Sequence, residues 1–557
     1  MHKLLALCLF AASTLGLYGC AAKAPMPETP APASAPVPVF SEARYAELVQ
    51  MLSDDRLEGR APATKGEERT VAVLEDQFKR LGLSPGNGES FRQAVPMVEI
   101  SPDRREMTLA ISGAKGQRRF AYGTEFVAGS RMLQSEISVQ GAPLVFAGYG
   151  VDAPEHDWND FAGIDVKDKL IIVLINDPGF GAADPKLFKG PAMTYYGRWT
   201  YKFEEAAKKG AAGVLIVHDT KGAAYGWEVV QTGWQKPLYD LESAAAPAPQ
   251  TKIQGWLTTE AAVALFADQG LDFAALKAAA DVRGFKAREL AATASITIKN
   301  TFRRASSSNV IARLVGTKRP DEHVIYMAHW DHLGRNFAAG QDQILNGAID
   351  NASGVAAVLE VARAFAQGPR PERSVLFFLP TLEESGLLGS RYYAEHPIYA
   401  LNKTVAGVNM DALTIIGPTK DVVVTGFGSS ELEPILSKYA AAQDRIVVAE
   451  PTPQDGFFYR SDHFSFAKVG VPVLYAESGV DQREKGREYG LAKGVDYIAN
   501  RYHKPSDEFD PSWDLRGVME DLVLFYQVGF DVANSQAWPA WYADSEFRAI
   551  RERSLAN

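Results

Sequence analysis

Continuous apolar runs alternate with helical patterns through the second half of the chain. After residue 300, segments with apolar residues at helical spacing, such as SGVAAVLEVARAFAQG, separate the runs HVIYMAHW, RSVLFFLPT, TVAGVNMD and VPVLYAES. Strands that are buried on both faces have continuous rather than alternating apolar runs. The pattern therefore predicts an α/β fold in which a mixed, mostly parallel sheet is sandwiched by helices.

The segments before residue 300 have two other patterns. Residues 41–83 predict two amphipathic helices, with Ser41 as the N-cap of the first. Residues 101–299 contain short β-like runs, separated by turns rich in Gly, Asp and Pro. We therefore predict one domain formed by residues 41–100 and 300–540, with a β-rich domain of residues 101–299 inserted between its two parts.

The first 40 residues are predicted to be an export signal and a linker. Residues 1–20 contain an early lysine, a short apolar stretch and Cys20, which is typical of a secretory signal and too short for a spanning helix. The end of this stretch, LYGC, resembles a bacterial lipoprotein processing site in which Cys20 carries the lipid, although Tyr18 departs from the residue usual there. Six prolines in residues 21–40 predict a semi-extended tether. We expect export to a bacterial periplasm or cell envelope as a membrane-anchored lipoprotein; an ordinary cleaved signal is the alternative.

Composition narrows the classes of function. Of the 557 residues, 46% are hydrophobic, enough for substantial cores and too many for a disordered chain. The formal net charge of -10 does not favour a nucleic-acid partner. Cys8 and Cys20 are the only cysteines, and both lie in the predicted signal, so a cysteine nucleophile is excluded.

Residues with metal-binding side chains recur where the apolar runs end. They are His329 in AHWDHLG, Asp350 in GAIDNASG, Glu383 and Glu384 in PTLEESGLLGS, Asp411 in VNMDAL, and His503 in RYHKPSDEFD. Open α/β sheets bind ligands at the carboxyl ends of their strands, so we expect these side chains to meet at one edge. The spacing predicts a two-metal hydrolase site.

Each residue also has a plainer interpretation. Asp350 suits a helix N-cap, and Glu383–Glu384 suit a solvated turn. However, buried strands seldom end in carboxylates unless a positive charge meets them. His329 is the predicted ligand, and the carboxylate of Asp331 is predicted to accept its other ring N–H. Three carboxylates and a hydroxide would balance two divalent cations, which leaves Glu383 free to take a proton.

These motifs resemble those of the co-catalytic di-zinc aminopeptidase family, which also includes glutamate carboxypeptidases and, with one zinc, glutaminyl cyclases. The resemblance covers residues 300–535 and the helices of 41–83. It implies two Zn²⁺ ions bridged by Asp350, with His329 and Asp411 completing one site and Glu384 and His503 the other. It also implies Glu383 as the general base and Tyr502 as a hydrogen-bond donor to the tetrahedral intermediate. Residues 101–299 resemble a protease-associated domain.

Two further histidines lie in these motifs. His463, in YRSDHFSFAKVG, is predicted to line the cleft, with a buried structural role as the alternative. His332, next to the site, is predicted to pack or to face solvent.

The predicted function is an exported zinc-dependent exopeptidase. An aminopeptidase is favoured, hydrolysing N-terminal residues of peptides with metal-activated water and Glu383 as base. The alternatives are a carboxypeptidase or glutaminyl cyclase of the same family, or a non-catalytic peptide-binding lipoprotein. Arg335, Arg460 and Arg483 lie near the motifs, so the sequence leaves the polarity open. Peptides are the expected partners, nucleic acid is not, and the lipid anchor is the only expected membrane contact; no oligomeric state is predicted.

Overall fold

The structure is a computed structural model that describes residues 35–182, 184, 186–242, 249–335 and 343–556. The predicted signal peptide, Cys20 and most of the proline-rich linker lie outside these residues. From residue 35 onward the chain packs as one compact unit. Among the described helices, none is long and apolar enough to cross a membrane.

The helices and strands predicted from the sequence occur in their order, with further elements between and after them. The α-helices are α1 (Glu42–Leu52), α2 (Lys65–Arg80), α3 (Pro178–Gly181), α4 (Trp199–Lys208), α5 (Thr220–Ala223), α6 (Trp227–Trp234), α7 (Thr259–Asp268), α8 (Phe273–Ala280), α9 (Gly354–Gln367), α10 (Leu388–Glu395), α11 (Leu432–Ala441), α12 (His463–Ala467), α13 (Arg487–Asn500), α14 (Arg516–Asn534) and α15 (Arg548–Ala556). The strands are β1 (Ser84–Pro85), β2 (Arg92–Pro102), β3 (Thr108–Gly113), β4 (Gly116–Ala121), β5 (Phe126–Gly129), β6 (Glu136–Phe146), β7 (Asp152–Ala153), β8 (Trp158–Asn159), β9 (Leu170–Leu174), β10 (Phe188–Pro191), β11 (Gly213–Val217), β12 (Leu238–Leu241), β13 (Ile253–Leu257), β14 (Arg288–Leu314), β15 (Arg319–Met327), β16 (Gly334–Arg335), β17 (Ile344–Leu345), β18 (Arg373–Leu379), β19 (Thr404–Asn409), β20 (Asp421–Val424), β21 (Ile446–Ala449) and β22 (Val473–Ser478). The side chain of Ser41 accepts a hydrogen bond from the Arg44 N–H, so it caps α1 as predicted.

Four parallel strands form the centre of the sheet in the second half of the chain. Strand β18 pairs with β15, β15 with β19, and β19 with β22, all in parallel. On one side β14 runs antiparallel to β18, and on the other β20 runs antiparallel to β22. The carboxyl ends of β18, β15 and β19 therefore lie side by side.

The faces of this sheet are both covered, which explains the continuous apolar runs. On β15, Val324 and Tyr326 pack into the core that includes residues of α1, α2, α9 and α14. The alternate residues Ile325 and Met327 pack on the opposite face, against residues such as Phe466 of α12. This arrangement confirms the predicted α/β class with a helix-flanked, mostly parallel sheet.

Most strands of the inserted segment pair around the first half of β14, while β12 pairs with β2. Strands β3 and β6 pair with β14 in antiparallel register, and β6, β9, β11 and β13 continue in parallel. The apolar residues of this segment form separate cores between Met107 and Ile298. The domain boundaries at 100 and 300 nevertheless stay a prediction.

Candidate metal centre

The ends of three neighbouring strands bring the predicted residues together. His329 lies two residues after β15, and Asp411 lies two residues after β19. Glu383 and Glu384 form a 3-10 turn after β18, entered through Leu382 with a left-handed φ of 57°. Such backbone strain persists where the surrounding structure fixes it, and it collects at functional sites.

Asp350 reaches the same edge from a π-helical turn, Ala348–Ser353, at the start of α9. The carboxylate of Asp507 accepts hydrogen bonds from the Ile349 N–H at 3.0 Å and the Asp350 N–H at 3.1 Å. The Asn351 side chain donates to the Met410 carbonyl at 3.1 Å, which ties this turn to the end of β19. The peptide bond between Asp350 and Asn351 is cis.

The spacing of ligand atoms around His329 fits one zinc ion. Its Nε2 lies 3.3 Å from Asp350 Oδ1 and 3.3 Å from Asp411 Oδ1. Ligand atoms on a tetrahedral zinc ion are about 3.3–3.5 Å apart, because each metal–ligand bond is about 2.0–2.1 Å. A single ring N–H cannot donate to both carboxylates in good geometry, whereas one cation satisfies all three atoms.

The other oxygen of Asp350 takes part in a second group. His503 Nε2 lies 3.3 Å from Asp350 Oδ2 and 3.1 Å from Glu384 Oε2. Asp350 therefore turns one carboxylate oxygen to each histidine, the arrangement of a carboxylate that bridges two metals. The five residues predicted as ligands come together in the two predicted sets.

Glu383 lies close enough to His329 and Asp411 that the three side chains could together hold a metal ion. Its Oε2 lies 3.8 Å from His329 Nε2, farther than either predicted ligand oxygen. Burial raises the pKa of Glu383 well above its ordinary value, and the charges of Glu384 and Asp411 add to the rise against the opposing effect of His329. Its position suits a base that exchanges a proton rather than a permanent ligand.

Negative charge is in large excess around these residues. Seven carboxylates gather here: Asp331, Asp350, Glu383, Glu384, Asp411, Asp462 and Asp507. Three of them, Asp331, Asp462 and Asp507, are 0% exposed. Burial raises the pKa of Asp331 to about 8 and those of Asp462 and Asp507 to about 7. Buried carboxylates need a compensating cation or a proton, so the donor set fits divalent metal ions.

The carboxylates around the site also raise the pKa values of His329 and His503. Burial alone would lower the pKa of His503, but Glu384 and Asp350 outweigh it and raise the pKa to about 9. Burial is likewise outweighed at His329, where Glu383 and Asp411 raise the pKa well above its usual value. The site therefore attracts positive charge at each imidazole.

The role predicted for Asp331 needs a correction in detail. The Nδ1 of His329 lies 3.1 Å from the backbone carbonyl of Asp331 and 3.8 Å from its carboxylate, so the main chain is the nearer partner of the ring. The carboxylate instead accepts the Glu383 N–H at 3.1 Å. Asp331 thus contacts His329 through its main-chain carbonyl and the main chain of Glu383 through its carboxylate.

The two predictions for His332, packing or facing solvent, missed a contact with the site. His332 is 1% exposed, and its Nδ1 lies 2.6 Å from Glu384 Oε1. This distance is that of a hydrogen bond and is shorter than the edge of a zinc tetrahedron. We interpret His332 as a donor that orients Glu384, with His503 as the ligand.

His463 and Tyr502 differ in exposure. His463 is 0% exposed, and its ring packs 5.0 Å from the rings of Phe458 and Tyr475, so the structural alternative applies rather than a place on the cleft wall. Tyr502 is half-buried and stacks on His503, with 3.9 Å between the ring centres. Its hydroxyl accepts a hydrogen bond from Arg460 Nη2 at 3.0 Å.

The inserted segment touches this site directly. Lys236 Nζ donates to the Leu333 carbonyl at 2.6 Å, next to His332. The guanidinium of Arg460 lies 5.2 Å from the ring centre of Tyr225. Sequence patterns did not indicate these contacts. Each contact joins residues that are far apart in the sequence, and hydrophobic periodicity reports only on neighbouring residues.

The chain is similar to known peptidases over part of its length. Residues 309–527 match the model described as Peptidase family M28. Mouse "Aminopeptidase NAALADL1" is 34% identical over 122 residues, 21% of this chain and 15% of the relative. The Mycobacterium tuberculosis "Probable lipoprotein aminopeptidase LpqL" is 29% identical over 244 residues, 41% of this chain and 46% of the relative. The chain thus spans less than half the length of either curated relative.

A solved structure shows the same fold over nearly the whole length. An aminopeptidase from Aneurinibacillus sp. strain AM-1 has a TM-score of 0.53 at 19% identity, covering 89% of this chain and 95% of that one. Together with the family match, this confirms the predicted resemblance to zinc aminopeptidases.

Proposed function

We propose that this chain, whose residues 309–527 match peptidase family M28, is a zinc metallopeptidase that removes N-terminal residues from peptides. The observation that carries the proposal is the pair of histidines on opposite oxygens of Asp350, each at 3.3 Å. Two Zn²⁺ ions fit this geometry: His329, Asp350 and Asp411 would hold one, and Asp350, Glu384 and His503 the other.

The chemistry divides between the metals and the chain. Bound zinc ions would acidify a water molecule and polarise the scissile carbonyl. Glu383 would take the water proton during attack and pass it to the leaving amine. Tyr502, held by Arg460, would donate its hydroxyl proton in a hydrogen bond to the developing oxyanion.

An N-terminal preference has support in the charge near Asp411. An aminopeptidase needs negative groups near the free ammonium of its substrate. The half-buried Glu477 accepts a hydrogen bond from Thr414, three residues after Asp411, at 2.6 Å. Burial raises its pKa to about 8, so it is mostly protonated at neutral pH, and a bound substrate ammonium would favour its ionised form. The relatives named above are also described as aminopeptidases.

A carboxypeptidase is a second candidate, favoured by two arginines near Tyr502. Arg198, from the inserted segment, is 9% exposed, and its Nε has no hydrogen-bond partner among the described residues. Burial lowers the pKa of Arg198 to about 10, and the charge of Arg460 adds to the shift. A terminal carboxylate would satisfy such a pair. By contrast, the other arginines considered, Arg335 and Arg483, lie beside Glu58 and Glu520.

Two measurements test the proposal. Metal analysis should give two zinc ions per chain, and a chelator should abolish hydrolysis of amino-acid anilides. A protein with no divalent metal and no loss on chelation would end the hydrolase proposal, and binding of peptides without turnover would support a binding lipoprotein. One zinc with cyclisation of N-terminal glutamine would support a glutaminyl cyclase. A panel of N-blocked and C-blocked peptides then gives the polarity, because blocking the recognised end abolishes cleavage.

We also propose that the protein is exported and anchored through a lipid on Cys20. The motif LYGC supports this, as does the description of the mycobacterial relative as a lipoprotein aminopeptidase. Residues 101–299 are proposed to be a protease-associated domain that shapes access to the site, since Tyr225 and Lys236 contact it. Metabolic labelling with a fatty acid, compared between the wild type and Cys20→Ala, tests the anchor.

A further inference from the structure

Arg60 is a buried arginine whose hydrogen bonds all go to main-chain carbonyls. It ends the short turn Asp55–Arg60 between α1 and α2 and is 1% exposed. Its Nε donates to the Trp330 carbonyl at 2.9 Å, and Nη2 donates to the Gly347 carbonyl at 3.0 Å. Nη1 donates to the carbonyls of Leu52 at 2.7 Å and Asn346 at 2.5 Å.

Three of these four acceptors belong to the two loops that carry His329 and Asp350, and the fourth, Leu52, ends α1. Trp330 directly follows His329, and Gly347 lies three residues before Asp350. One planar guanidinium therefore joins both loops. A lysine has a single donor atom on a flexible stem and cannot reproduce this fork.

The main chain of this turn is built for a close approach. Glu58, Gly59 and Arg60 have left-handed φ values of 51°, 66° and 52°. A Cβ on Gly59 would lie 2.5 Å from the carbonyl oxygens of Gly334 in β16 and Leu345 in β17. Only glycine therefore lets the turn pack this closely against the two strands. Left-handed non-glycine residues cost free energy and are kept where the surroundings require them.

Arg60 also brings positive charge to the site. Burial lowers its pKa to about 10, while Asp350, Asp507, Asp331 and Glu384 act in the opposite direction. It is therefore charged at neutral pH. Because its hydrogen bonds go to carbonyls rather than carboxylates, the ligand oxygens stay available for metal.

We propose that Arg60 is a positioning residue of the metal centre. It holds the loops of His329 and Asp350 at the separation at which Asp350 serves two ions. The inference rests on the proposed zinc centre and assigns the N-terminal segment of the fold a direct part in metal binding.

The test compares Arg60→Gln and Arg60→Lys with the same changes at Arg373. Arg373 is the control, since it is 0% exposed and donates Nη1 to the carbonyls of Val532 at 2.6 Å and Ala537 at 3.1 Å, while its Nε donates to the Glu322 carboxylate at 2.6 Å. It starts β18, at the end opposite to Glu383. Zinc affinity is measured by competition with a chelator, zinc content by metal analysis, and folding by thermal unfolding.

Arg60→Gln is expected to weaken zinc binding by roughly 10- to 100-fold, the effect of losing a supporting contact around a metal. Arg60→Lys should recover part of this loss, because it restores the charge without the fork. Both Arg373 variants should unfold at a lower temperature but bind zinc within about twofold of the wild type.

Three results would overturn the inference. They are wild-type zinc affinity in Arg60→Gln, full recovery in Arg60→Lys, and an equal loss of affinity in the Arg373 variants, which would reduce the effect to general stability. If Arg60→Gln does not fold, Arg60→Lys decides. A wild-type protein that binds no zinc would instead refute the proposed function itself.

Discussion

The inserted segment and the candidate metal centre both bury ionisable groups, but they balance them differently. In the insert, Lys202 is 1% exposed and its ammonium donates to the carbonyls of Tyr149 at 2.6 Å, Asn176 at 2.9 Å and Tyr196 at 2.7 Å. The carboxylates Asp160 and Asp177 lie close enough to act on its charge. This cluster therefore contains its own cation and its own acceptors.

The candidate metal centre gathers seven carboxylates beside its histidines, more than the basic side chains that act on them in the described part of the chain, Arg60 and Lys236. The insert's cluster indicates a structural role, because its ammonium donates to three carbonyls and lies near two carboxylates of the same segment, even though burial lowers the pKa of Lys202 to about 7. An excess of negative charge indicates that a bound cation completes the site. The following experiments test this difference, from the largest expected effect to the smallest.

Glu383→Gln should lower the turnover number by about 10²- to 10⁴-fold, because an amide cannot accept the water proton. Zinc content should not change, since Glu383 lies outside both predicted ligand sets. Metal analysis beside steady-state kinetics measures both. Glu395→Gln on α10, 54% exposed, is the control and should behave as the wild type. Normal turnover in Glu383→Gln would remove this residue from the base role.

Lys202→Met should lower the free energy of unfolding by roughly 3–5 kcal/mol, because it leaves buried carboxylates without their cation. Zinc affinity should stay unchanged, since the insert's cluster is self-contained. Denaturant unfolding and chelator competition measure the two quantities. Lys208→Met on the same helix, where the side chain is 74% exposed, should change neither. Loss of zinc by Lys202→Met would contradict the separation of the two clusters.

His463→Phe should make the protein less sensitive to acid. Burial lowers the pKa of His463 to about 3 in the folded chain. As the pH falls below about 6.5, the unfolded chain therefore takes up a proton that the folded chain does not, and stability falls. Between pH 7 and 4.5 this group alone costs roughly 2–3 kcal/mol. Urea unfolding at both values should show a smaller loss for the variant; equal losses would show that His463 does not control acid sensitivity.

His332→Phe should weaken zinc binding by about 10- to 100-fold, because Glu384 loses the donor that orients it. Chelator competition is the measurement. His323→Phe supplies the control, since His323 is 3% exposed and packs against Tyr399 rather than against the site. Unchanged affinity in His332→Phe would leave that histidine with a packing role only.

Local patterns were sufficient for the sheet and for the candidate ligands. Each continuous apolar run became a buried strand, and the polar residues after β15, β18 and β19 met because parallel strands end at one edge. His503 also reached the site, although it follows a helix rather than a strand. Its placement was implied by family resemblance and not by periodicity.

No sequence pattern indicated the residues that position the candidate ligands, namely Arg60, Asp507 and His332. Arg60 reaches Trp330 across 270 positions, and Asp507 reaches Asp350 across 157. Nothing in the neighbourhood of either residue indicates such a partner. His332 shows a second limit: side-chain direction in an irregular loop is set by backbone turns, and neither the 2.0 nor the 3.6 periodicity applies.

Strand β14 has a consequence for how substrates enter. It runs for 27 residues through both sheets, and it changes partner from Glu136 at Lys299 to Pro102 at Asn300 without a gap in the ladder. A hinge motion of the inserted segment would have to break main-chain hydrogen bonds along β14, the strand that both parts share. Under the proposed function, we therefore expect peptides to reach the candidate metal centre past side chains on a rigid frame, so that the width of the entrance would set which peptides are admitted.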